Sequence, residues 1–291
     1  MGDLCGVHSR HVCPAGEVNR MTKSIFSLPS EIVKNRRLIA RLSWNDFRTR
    51  YAGSYLGIIW AFIQPVITIL VYWFVFSVGF RAGTGNLGVP FVLYLVAGIV
   101  PWFFFQDALI GGTASLLEYN YLVKKVVFNI SVLPVVKIMS AAFVHFFFVL
   151  FTIVLYMGYG RFPDIYYIQI IYYSGCVFLL VLGMSYFTCS VVVFFRDLTQ
   201  IISILLQIGV WLTPIMWVAE DSLAGHPTLL RVMKLNPMYY VVSGYRDTFI
   251  KKVWFFEHVG WTIYFWAFTA ACFLLGAFVF KRLRVHFADV L

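Results

Sequence analysis

Long apolar runs follow one another along almost the whole chain, separated by short connections whose Lys and Arg fall mostly on alternate sides. A run of roughly 20 apolar residues crosses a hydrocarbon layer of about 30 Å, and no soluble core needs several in series. Residues 56–80, 90–110, 134–157, 165–195, 201–218 and 261–280 meet that length. The expected fold is an all-α polytopic membrane protein with six transmembrane helices. Hydrophobic residues make up 61% of the chain and charged ones 12%, against about 25% charged in soluble domains.

An even number of spans puts both termini on one side. Placing them in the cytoplasm assigns sixteen of the 23 Lys and Arg to inner segments, as expected where cations resist translocation. The net charge of +10 therefore belongs to topology and to anionic headgroups at the cell membrane, and gives no argument for nucleic acid. Residues 1–28 read as a flexible cytoplasmic tail. In it Cys5 and Cys13 bracket His8 and His11 without the usual spacing of zinc ligands, so no metal site is expected. No apolar core of a signal peptide precedes Met21, so the first span is expected to remain as an anchor. Cys176, Cys189 and Cys272 fall inside apolar spans, as small packing residues do.

Residues 29–50 read as an amphipathic helix lying in the interface, with Ser30 as N-cap. At about 100° per residue, Lys34, Arg37, Arg41 and Arg48 share one face, while Ile32, Ile39, Leu42, Trp44 and Phe47 take the remaining arc. Residues 111–133 form a cytoplasmic segment carrying Glu118, Lys124 and Lys125, too long for a turn and too apolar for a linker, so part of it is expected to dock on something. Asp197 with Gln200 resembles a capping box that starts the fifth span. Residues 214–254 are too broken by Pro and Gly to span and too apolar to hang in water. They are expected to form two short re-entrant helices at the outer face, with Asn236-Pro237 as the break.

Intramembrane chemistry needs converging ionisable groups, and few are present. His145 stands alone in an apolar run and reads as a hydrogen bonder between packed helices, and Asp107 lies near an inner end. There is no H-E-x-x-H, G-x-S-x-G or phosphate-binding G-x-x-x-x-G-K-[ST]. No catalytic residue is assigned, and any nucleotide motor must be another polypeptide. Aromatic residues are abundant at 19%. Clusters such as Tyr72-Trp73 and Tyr239-Tyr240 suit a conduit for a glycan, because flat rings with polar tips stack on sugar faces.

Several segments resemble the permease subunit of type-2 ABC exporters: Tyr55-Leu56-Gly57 through Pro65, Ala97-Gly98-Ile99-Val100-Pro101-Trp102, Phe195-Arg196-Asp197, Leu212-Thr213-Pro214-Ile215 and Leu235-Asn236-Pro237-Met238-Tyr239-Tyr240. Tyr72-Trp73-Phe74, Gly244-Tyr245-Arg246 and Arg284-Val285-His286-Phe287 look most like the wall teichoic acid translocation permeases, with O-antigen and capsular polysaccharide permeases as close relatives. The resemblance spans residues 51–291 as one transmembrane domain plus the amphipathic helix. It implies a homodimer, two copies of a cytosolic ABC ATPase that bind ATP and Mg, no cofactor in this chain, and export of an undecaprenyl-diphosphate-linked, anionic wall teichoic acid polymer from the cytosol to the exterior. It implies coupling to the ATPase at Glu118, Lys124 and Lys125, with Arg37 and Arg41 nearby. Tyr72, Trp73, Pro214, Pro237, Tyr239, Tyr240, Tyr245 and Arg246 are the conduit and gate candidates. An anionic polymer would favour cations near the exit, where Arg246, Lys251 and Lys252 are candidates. Export of O-antigen or capsule is the alternative, and a membrane-embedded glycosyl- or acyltransferase is a second one.

Overall fold

A computed structural model describes residues 27–81, 84, 88–124 and 129–291. The tail cysteines and Lys125 lie outside the described residues. Every regular element among these is helical. We number α1 (Ser27–Lys34), α2 (Arg36–Arg50), α3 (Gly57–Gly79), α4 (Phe91–Glu118), α5 (Val132–Gly158), α6 (Ile165–Val192), α7 (Leu198–Leu212), α8 (Pro227–Lys234), α9 (Pro237–Arg246) and α10 (Phe255–His286). Single helical turns at Asn120–Val123, Ala219–Ser222 and Phe287–Val290 and a π-helical stretch at Asp247–Lys251 complete the described elements.

The bundle is built around α4, which packs against α5, α6 and α9, while α10 covers the other side of α6. Of the apolar window of α4, 78% is buried, against 11% for α3. The first helix is therefore peripheral, with most of its apolar surface facing outward. The crossing of α6 and α10 depends on two glycines. A Cβ on Gly276 would collide with the Gly183 carbonyl, and one on Gly183 would lie 2.8 Å from the Phe273 nitrogen, so backbone meets backbone as small residues allow between membrane helices.

Among the described residues five helices, α3, α4, α5, α6 and α10, are long and apolar enough to span. The expected fifth span, 201–218, is shorter than its hydropathy suggests. Its helix stops at Leu212 because Pro214 excludes the α conformation from the residue before it, and Thr213 is extended at φ −87 and ψ 124. Fifteen residues rise only about 22 Å, and unwound chain follows to Val218.

Other boundaries also move. α4 runs on to Glu118, so residues 111–118 continue a helix and are not a connecting segment. Gly112, Thr113 and Ser115 lower the hydropathy there, yet all three are buried, and Thr113 hydrogen-bonds Thr188 of α6 at 2.8 Å. The amphipathic segment is two helices broken at Asn35, starting at Ser27, so Ser30 is not its N-cap. Asp197 does precede α7, but its side chain makes no capping hydrogen bond. The break at Asn236-Pro237 falls where the sequence places it: Pro237 opens α9 and the Asn236 side chain accepts from the Met238 nitrogen at 3.0 Å.

Replacing Gly276 by Leu should lower the melting temperature of the detergent-solubilised protein by several degrees, since overpacking a tight contact costs about 1–3 kcal/mol. Gly175→Ala, which meets open space, should leave it unchanged or slightly higher.

Candidate functional site

α2 is fixed to the bundle by charge. Its buried face carries Ile39, Ser43, Asp46 and Phe47 and lies against α5. Lys137, one turn into α5 and 5% exposed, donates to Asp46 at 2.6 Å and to Glu118 at the end of α4. The Tyr119 hydroxyl donates to the same Asp46 oxygen at 2.7 Å, and the Lys137 ammonium stands 5.1 Å from the Tyr119 ring centroid. Beside this cluster, Arg50 donates to both carboxylate oxygens of Asp107, at 2.9 and 2.8 Å. α1 adds a further tie: Glu31 accepts from Asn129 at 2.9 Å and Ser131 at 2.8 Å, just before α5.

Burial alone would raise the Asp46 carboxyl, but the hydrogen bonds and charge of Lys137 and the Tyr119 hydroxyl outweigh it and hold the group below its ordinary value of 3.8. A carboxyl lowered in the folded state stabilises above its unfolded value and loses that contribution as pH falls through the folded one. Docking of α2 is therefore expected to be insensitive to pH between neutrality and about 4. Burial opposes the charge on Arg50 as well, and Asp107 more than restores it.

From this polar end a chamber of about 480 Å³ runs between α3, α4, α5 and α7. Tyr51, Asp107 and Ile110 line both it and a polar recess of about 450 Å³ around Asp46, Arg50, Glu118 and Lys137. Four residues of α3 at successive helical turns, Trp60, Gln64, Thr68 and Tyr72, face the chamber, opposed by Gln207 and Trp211 of α7 and by Trp102 and Gln106 of α4. Among the described residues the wall contains no Lys or Arg, and its acid Asp107 is held by Arg50.

Of the conduit candidates, Tyr72 lines the chamber and Trp73 is exposed on the outside of α3. Tyr239, Tyr240 and Tyr245 are packed inside the protomer. The Tyr240 hydroxyl pairs with Tyr172 at 3.1 Å and Thr262 at 3.0 Å. Tyr245 closes a triangle with Ser174 at 2.7 Å and His145 at 3.0 Å, so His145 does join packed helices. Pro214 is buried in the unwound segment after α7, Pro237 opens α9, and Arg246 is buried against backbone carbonyls. Lys251 and Lys252 pair with Asp247 and Asp164 at 3.6 and 2.7 Å.

Of the coupling candidates, Glu118 is drawn into the Lys137 cluster, while Lys124, Arg37 and Arg41 are exposed. Trp44, assigned to the apolar arc, stands exposed on the basic side of α2. Asp46, Arg50 and Lys137, which organise this end together with Glu118 and Asp107, were not singled out in the sequence, although Lys137 inside an apolar run was a signal, since such a charge demands a partner.

The sequence pattern of ABC-2 type transporters matches residues 37–250. The chain belongs to that family. It is 27% identical over 225 residues, 77% of this chain and 85% of the relative, to an O-antigen export system permease protein of Myxococcus xanthus. It is 25% identical to another of that description from Klebsiella pneumoniae, over 87% of this chain and 95% of the relative. The protein is thus a multi-pass membrane permease subunit and not an enzyme, with ATP hydrolysis carried by a partner.

Truncating one member of a buried ion pair strands the other, at a cost of about 3 kcal/mol or more. Asp46→Ala should therefore lower thermal stability sharply and expose α2 to proteolysis. Combining it with Lys137→Met should recover much of the loss. A double mutant no better than Asp46→Ala alone would show that the pair does not hold α2.

Proposed function

We propose that this permease exports an uncharged, lipid-linked polysaccharide of the O-antigen kind from the cytosol, driven by a cytosolic ABC ATPase that binds ATP and Mg. The chamber wall carries the reading. Trp60, Tyr72 and Trp211 offer ring faces, and Gln64, Gln106 and Gln207 offer amides that both donate and accept. Sugar rings stack on such faces and their hydroxyls bond to such amides. A polyanion would instead bring phosphates to a wall without Lys or Arg, and an unpaired charge in a poorly hydrated site is costly. Arg246, Lys251 and Lys252, the cations available to an anionic polymer near the exit, pair with backbone carbonyls, Asp247 and Asp164, which favours the uncharged polymer over teichoic acid.

A homodimer accompanies this reading. Gln64 and Gln207 are exposed on a face flanked by exposed apolar residues of α3 and α7, and polar side chains are costly against lipid. A second copy closing over this face would make one conduit from two half-chambers. Both termini are assigned to the cytoplasm, with Arg37, Arg41 and Lys124 presented to the ATPase.

The test is reconstitution of the permease with its ATPase in vesicles, supplied with lipid-linked polymers that are either neutral or phosphate-containing at matched length. Neutral polymer should stimulate ATP hydrolysis severalfold and the phosphate polymer little, and Gln64→Ala with Gln207→Ala should reduce that stimulation. Preference for the phosphate polymer would overturn the substrate class. Hydrolysis by the purified chain alone would overturn the division of labour.

A further inference from the structure

Because α7 ends early, the chain continues as unwound backbone over residues 213–218 within a molecule that crosses a membrane. Such backbone is tolerated at that depth only where its polar groups find partners in protein or water. The partners come from α4, from α9 and from the turn before α9. The Arg246 guanidinium, 6% exposed at the end of α9, donates to the carbonyls of Pro214 at 2.6 Å and Ile215 at 2.7 Å. Its central carbon lies 3.6 Å from the centroid of the Tyr94 ring on α4, and the Tyr94 hydroxyl donates to the Trp217 carbonyl at 3.1 Å. Asn236 donates to the Thr213 hydroxyl at 2.8 Å while capping α9. The guanidinium fits because α4 has no side chain at Gly98, where a Cβ would lie 2.9 Å from Nη2. A planar fork with several donors can hold two successive carbonyls and stack on a ring at once, and an ammonium cannot.

We propose that Arg246 is a positioning residue for export and not a contact for the polymer. Pro214 sets where α7 ends; by holding the carbonyls of Pro214 and Ile215, Arg246 anchors the unwound chain that follows, and so the position in which α7 presents Gln207, Val210 and Trp211 to the chamber. The proposal rests on the export reading only for its functional half. Its structural half has its own reporter, since the rings of Phe76 on α3 and Trp211 on α7 are 6.5 Å apart.

The experiment uses the full-length permease with its ATPase in membranes, the native cysteines replaced and a cysteine pair introduced by Phe76→Cys and Trp211→Cys. Arg246→Lys keeps the charge and loses the fork. Gly98→Ala keeps the arginine and crowds it. Each should lower cross-linking of the pair by at least threefold. In the background without the pair, each should lower export by about tenfold at unchanged membrane level. Tyr94→Phe, which removes the Trp217 bond, should fall between these and the parent. Unchanged cross-linking in both Arg246→Lys and Gly98→Ala overturns the proposal, and if export is still lost, Arg246 acts on the polymer directly. Altered cross-linking with normal export overturns the functional half. If Arg246→Lys does not reach the membrane, Gly98→Ala decides.

Discussion

Lys137 lies one turn inside an apolar helix, where an unpaired ammonium is not tolerated, and the arrangement at that end of the molecule follows from satisfying it. Asp46 comes from the amphipathic helix and Glu118 from the end of α4, with the Tyr119 hydroxyl sharing the Asp46 oxygen. Once Asp46 is engaged, Arg50 one turn later is placed to meet Asp107, and Tyr51 reaches the chamber wall. A single buried cation thereby ties a peripheral helix, the central helix and the lining of the cavity into one unit. Motion imposed on the connection between α4 and α5 would be felt by α2 through the same bonds, and Glu31 adds a second tie at Asn129 and Ser131.

The sequence reveals the spans to the extent that hydropathy marks them. The class, the order of helices and the break at Asn236-Pro237 were all legible. The length of α4 was not, because its last turns are made of Gly, Thr and Ser that score as polar yet pack tightly against α6. The early end of α7 was hidden for the opposite reason. Ile215, Met216 and Trp217 sustain an apolar signal through chain that Pro214 prevents from being helical.

The site was legible in kind and only partly in place. Aromatic abundance pointed toward sugar chemistry, and Tyr72 does line the chamber. Composition cannot say which face a ring takes, however: Tyr239 is buried within the protomer, and the hydroxyls of Tyr240 and Tyr245 are bound there. Arg246 shows the same ambiguity for charge. An arginine near a membrane exit reads as a binding group for anions, but here its donors go to carbonyls freed by an unwound segment. The amides of Gln64, Gln106 and Gln207 drew no attention because single polar residues in a long apolar run change its hydropathy little. Their convergence needs three helices to be placed before it exists.

We propose that the chamber between α3 and α7 is the polymer's path. This is tested most directly by placing a photoreactive amino acid at Gln64, at Gln207 and, as a buried control, at Tyr240, then illuminating the complex while it transports lipid-linked polysaccharide. Polymer adducts that require ATP are expected at Gln64 and Gln207, and none at Tyr240. Adducts at Tyr240 without any at Gln64 or Gln207 would contradict it.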